Sequence, residues 1–127
     1  MAKFTADAAL DASLAYLIDC DLLTVCSAQP TTYTEAITTY KLADIAMTPG
    51  DGAGDFTIGN GDTSGRKLTV LQQAAIAIDT TGTATHIALT KSGDTTLRLV
   101  TTCTSQALTS GGTVTVPTFD DEIADPA

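Results

Sequence analysis

One imidazole and three thiols are the side chains best suited to chemistry: His86, with Cys20, Cys26 and Cys103. A cysteine beside a histidine is a nucleophile beside its base. His86, however, lies mid-strand in Thr-His-Ile-Ala, away from the loops and helix N-termini where reactive groups are tuned, so it reads as a cross-strand or interface histidine. The same four residues match the ligand number of a zinc site. Five residues separate Cys20 from Cys26, against the two to four of a zinc knuckle, and His86 and Cys103 fall on separate strands. The thiols therefore read as small buried hydrophobes.

Oxygen ligands gather elsewhere. Asp51, Asp55, Asn60 and Asp62 stand among glycines, and hard oxygens on flexible backbone suit calcium. The order D-x-[DN]-x-[DN]-G and a bidentate glutamate are both missing, so glycine for turns and aspartate for solvation is the expected role. The run from Gly61 to Lys67 looks superficially like a phosphate cradle. It lacks the GK[ST] ending and leads into a strand pattern instead of a helix. Asp120, Asp121 and Glu122 are consecutive, so in extended chain they point apart and cannot act as an acid/base pair on one bond. No catalytic, cofactor-binding or metal-binding constellation is expected.

The elements that would position these groups follow from periodicity. Leu10, Leu14, Leu17 and Ile18 form one apolar stripe, predicting a helix over 7–18 that ends near Asp19, with Asp7 as N-cap or first-turn acid. Leu22 to Ser27 predicts a short buried strand. Pro30 fixes its own φ and pushes Gln29 towards extended geometry, and Thr32 or Thr34 is placed to cap a short turn running from Glu35 to Tyr40. Residues 42–47 suggest another short strand or turn. Residues 48–66 hold six of the ten glycines and predict a long surface loop, with a short hairpin around Phe56 and Ile58.

Strand patterns then recur about every ten residues. They cover 67–71, 74–79 joined to 83–90 as a hairpin, 95–103 with Leu97, Leu99, Thr101 and Cys103 on one face, and 113–118 with Val114 and Val116 inward. Residues 119–127 carry four carboxylates and read as a solvated or docked tail, not a core strand. The expected fold is one mainly β domain over 1–127, an antiparallel β-sandwich or small barrel with one short N-terminal α-helix. The 25 threonines, β-branched and stiff, agree with it.

A net charge of −9 with six scattered basic residues argues against a nucleic-acid or anionic-membrane partner. No secretory segment is expected at the N-terminus, and the odd cysteine count suits a reducing cytoplasm. Acidity directs attention to partners with a positive surface.

Several segments together resemble the small virion proteins of tailed bacteriophages, of the type met in phages and prophages of Alphaproteobacteria. They are the opening Met-Ala-Lys-Phe-Thr with its short helix, Val25 to Ala36 (VCSAQPTTYTEA), the glycine-rich loop ending at Gly65-Arg66-Lys67, Gly82 to Leu89 (GTATHIAL), and Phe119 to Pro126 (FDDEIADP). The resemblance covers nearly the whole chain. It implies a non-enzymatic, many-copy or homo-oligomeric component of a virion assembled in the host cytoplasm. A decoration (cement) protein on the head surface, bound to the major capsid protein, comes first. A tail, collar or fibre-associated protein, bound to tail proteins, comes second. A glycan-binding module on a sandwich is disfavoured by the absence of Trp and the six aromatics in all. The residues expected to meet a partner are Phe4, Pro30, Tyr33, Arg66, Lys67, Asp120, Asp121 and Glu122.

Overall fold

Leu10, Leu14 and Ile18, spaced four apart, are buried along one side of helix α1 (Asp7–Ile18), and Leu17 is half-buried beside them. The structure, a computed structural model, describes residues 4–126. Ala6 occupies the N-cap without a side-chain bond, so Asp7 serves as the first-turn acid, where the helix dipole favours it. Asp19 caps the C-terminus.

Among the described residues nine strands follow: β1 (Leu22–Cys26), β2 (Lys41–Ala46), β3 (Phe56–Asn60), β4 (Arg66–Val70), β5 (Gln73–Ala77), β6 (Gly82–Lys91), β7 (Thr96–Leu108), β8 (Thr113–Val116) and β9 (Phe119–Ile123). They form three antiparallel sheets ordered β2-β1-β6-β7, β3-β4-β9 and β5-β8. With 49% strand and 15% helix the fold is mainly β and sandwich-like, and none of the described sheets closes into a barrel.

β1 reads as a continuous apolar run because it is covered on both faces. Leu23 and Val25 point into the main core, while Cys26 meets Ala36 and Ala88 in a second cluster on the opposite face. That second face is roofed by one turn of π-helix, Glu35–Thr39, closed by Tyr40 N–H donating to the Glu35 carbonyl at 2.9 Å. Thr32 is the cap: its hydroxyl accepts the Glu35 N–H at 3.1 Å, while Glu35 Oε1 accepts from the Thr31 N–H at 2.8 Å and the Thr31 hydroxyl at 2.7 Å.

Four expectations are corrected. The hairpin expected around Phe56 and Ile58 is present as β3 paired with β4, and what is corrected is its place at the surface: Phe56 is fully buried opposite Val70. β5 and β6 do not form a hairpin. β6 is flanked by β1 and β7, whereas Asp79 and Thr80 N–H both donate to the Leu42 carbonyl, drawing the end of β5 to β2, and β5 pairs with β8. Leu97 and Leu99 do not share a face. A register shift between Leu89 and Thr90 sends Leu97 to the second cluster, and Leu99 and Cys103 stay with the main core. The acidic tail is largely strand β9, paired with β4 along its length, because Phe119 and Ile123 pack against the core while Asp120 and Glu122 face out.

Candidate functional site

The β1–β6 ladder sets Cys26 directly opposite His86, but among the described residues no hydrogen bond joins that thiol to the imidazole. His86 is half-buried in β6, its Nδ1 hydrogen-bonded with the Thr85 hydroxyl at 2.8 Å. Cys26, its neighbour across the sheet, donates its thiol to the Ala36 carbonyl at 3.7 Å. Burial raises the Cys26 and Cys103 thiols and pushes Cys20 up to about 11, all away from the reactive thiolate. Among the described residues no three His, Cys, Asp or Glu side chains converge as a metal-ligand group. The loop carboxylates are engaged locally. Asp51 accepts the Ile58 N–H at 2.9 Å, and Asp55 accepts the Thr48 N–H at 2.6 Å and the Gln73 amide at 3.0 Å. Asn60 accepts from Arg66 at 2.8 Å. Among the described residues no helix is long and apolar enough to cross a membrane.

Cations are spent inside the fold. Arg66 grips Asp11 with Nε at 2.7 Å and Nη2 at 3.2 Å, fastening α1 to β4. Lys67 reaches Asp62 at 2.7 Å and Asp120 at 3.4 Å, so two residues expected to meet a partner meet each other across β4 and β9. Lys41 joins Asp44 and Asp79, and Lys91 joins Asp19. Arg98, which sequence reasoning passed over, is the most enclosed of the paired cations. Its side chain is 3% exposed; it bonds Asp19 at 3.2 Å, Asp94 at 2.7 Å and the Tyr16 carbonyl at 2.9 Å, and lies 3.9 Å over the Tyr16 ring. An arginine two residues into a strand gives no sign of this; the partners come from α1 and the β6–β7 turn.

Two surfaces result. The first is acidic. Around the β3-β4-β9 sheet lie Asp7, Asp11, Asp51, Asp62, Asp120, Asp121, Glu122 and Asp125, with Arg66 and Lys67 as the cations that answer them. Asp125 also accepts the Thr5 N–H at 3.3 Å, which sets Phe4, 76% exposed, beside this sheet. The expected contact residues Phe4, Arg66, Lys67, Asp120, Asp121 and Glu122 thus belong to one region. Pro30 is buried and Tyr33 half-buried under the π turn, away from it.

The second surface is a cleft of about 490 Å³ between β7 and the β8–β9 segment. Val25, Ala84 and Ile87 form its floor, Thr101 to Thr104 one wall and Val114 to Phe119 the other. From Leu99 to Phe119 no residue carries a charge, a feature readable in the sequence that residue-by-residue scanning for chemistry overlooks. The volume lies within the roughly 300–1,000 Å³ of small-molecule sites, but such sites add a few convergent polar groups, and here Asp120 at the β9 end is the sole charged lining residue among those described.

Comparison of the chain with protein-family models, with curated proteins and with solved structures finds no match.

Proposed function

We propose that this chain is a structural component of a tailed-phage virion, and specifically a decoration protein on the head surface. The observation that carries this reading is the crowding of carboxylates around the β3-β4-β9 sheet. Its carboxylates outnumber the local cations four to one, and an exposed phenylalanine sits at its margin. An acidic patch with an apolar anchor is suited to docking on a basic surface. On a symmetric shell a modest interface per copy suffices, because neighbouring contacts multiply the attachment. The likeness of Met1–Thr5, Val25–Ala36, Gly82–Leu89 and Phe119–Pro126 to small phage virion proteins supports the same reading.

The test is the position of the chain on purified particles. A decoration protein is stoichiometric with the major capsid protein on a gel, persists on tailless heads, and appears as density on the outer shell by cryo-electron microscopy. Loss together with the tails would assign the chain to the tail apparatus, and absence from particles would end the reading.

A further inference from the structure

β7 and β8 leave the turn at 109–112 and never pair with each other. Each is the terminal strand of its sheet, in the orders β2-β1-β6-β7 and β5-β8. On the far side of the molecule these two sheets do touch: Ala43 bridges Ile78, and the Leu42 carbonyl accepts from Asp79 and Thr80. Followed round, the strands run β7-β6-β1-β2, cross by the single Ala43–Ile78 bridge just past the end of β5, and continue β5-β8. Between β7 and β8 no bridge is present among the described residues, and the cleft lies there. Its opposite walls are the free edges of β7 and β8.

A free strand edge presents a row of unpaired backbone donors and acceptors, and proteins normally blunt it with Lys, Pro, charge or a covering element. β7 is 13 residues long; its register against β6 shifts over Thr102–Gln106, so a bulge interrupts the edge there. Thr102, Thr104, Ser105, Gln106 and Ala107 are exposed without one charge or proline among them. The floor beneath is apolar, with Val25, Ala84 and Ile87 each no more than 4% exposed. A folded domain offering its own edge strand carries a neighbouring strand with it, so a gap bounded on both sides admits a lone extended segment.

We propose that the cleft receives one extended strand from another polypeptide, which pairs with the β7 edge and completes the circuit of strands. Main-chain hydrogen bonds to β7 fix its direction, and alternate side chains drop onto the apolar floor, as period-two geometry requires. Charge defines the occupant further. The walls from Leu99 to Phe119 are neutral, and the β9 end opens on Asp120 within the acidic sheet. The matching segment is therefore uncharged along its body, alternates small apolar residues with Thr or Ser, and carries any basic residue at the Asp120 end. This inference stands on the cleft alone and does not require the virion reading.

A capped peptide of alternating Thr and Val ending in Lys serves as the probe, titrated into the isotope-labelled full chain. Binding should shift amide resonances of Thr101–Gln106 and Thr113–Thr118 saturably and slow amide exchange along β7 about tenfold. Cys103 is the half-exposed thiol of the three, so its alkylation by iodoacetamide should slow by a similar factor while Cys20 and Cys26 stay unreactive. A control peptide with Pro at alternate positions, unable to donate, should leave all three readouts unchanged. Thr104→Lys, which blunts the edge, should abolish the peptide's effects at unchanged melting temperature. Three results overturn the proposal: no saturable shift at millimolar peptide, equal binding of the proline control, or a β7 edge already protected in a dimer seen by sedimentation. None of these bears on where the chain sits in a particle, so the two readings fail separately.

Discussion

The β3-β4-β9 sheet and the β7–β8 cleft are built from the same Thr-rich, β-branched material yet present opposite surfaces. On the sheet, three strands pair in unbroken register and carboxylates crowd the surroundings. At the cleft, the charge is gone and the pairing is incomplete. Long-range charge acts on approach and is screened over about 8–10 Å at physiological salt, whereas an open strand edge acts only on contact. The acidic sheet is thus suited to orienting an encounter, and the neutral edge to holding a segment once it arrives.

The comparison is broken most severely at Gly65. Its φ is +70°, and a Cβ there would collide with the Ile123 carbonyl oxygen and crowd Ala124. Gly65→Ala should lift β9 from β4 and lower stability by about 3 kcal/mol in urea denaturation. Gly111, beside the cleft, also has positive φ but nothing within 4 Å of a new Cβ, so Gly111→Ala should cost about 1 kcal/mol. Equal losses would mean that β9 is not wedged as described.

Arg98→Met tests the joint between the helix and the long hairpin. Removing a nearly enclosed guanidinium strips Asp94 and the Tyr16 carbonyl of their donor and leaves Asp19 with Lys91 alone, and a loss of about 2 kcal/mol is expected. Thr90→Val works in the other direction. Thr90 is wholly buried, and its hydroxyl has no hydrogen-bond partner among the described residues; a methyl in its place should raise stability by about 1 kcal/mol, seen as a higher melting temperature.

The smallest effect belongs to Asp121, and it depends on pH. Burial holds this carboxyl above its ordinary value of 3.8, because it shares the inward face of β9 with Phe119 and Ile123. The ionised form is the disfavoured one in the folded protein. Its share of stability is therefore complete below the unfolded value and is lost as pH rises through the folded one. Asp121→Asn should raise the melting temperature slightly at about pH 7 and leave it unchanged at about pH 3; a rise at both would point to packing instead of charge.

Much of the architecture was legible in the residues. The spacing of Leu10, Leu14 and Ile18 placed α1 to its ends, and the apolar run at Leu22–Cys26 placed β1. What stayed hidden was partner choice. Nothing local says that β5 will leave β6 for β8; that depends on Leu42 capturing Asp79 and Thr80 from a distance. Bulges were equally silent, since one slipped residue near Thr90 turns Leu97 away from Leu99. In β9 the alternation of Phe119, Asp121 and Ile123 was in plain view, but the inward carboxylate disguised it as tail. An inward charge on an edge strand discourages unwanted pairing, so the residue that concealed the strand also protects it. Of the site, the carboxylates and Phe4 could be read directly. The cleft could not, because it is made by what two strands fail to do.

The hydrogen bond between Thr5 and Asp125 brings the beginning and end of the described chain side by side. A protein tethered at either end would emerge from the same place, next to β9. A short linker joining the two would turn the chain into a ring without disturbing a strand, and new ends could then be opened in the exposed 109–112 turn.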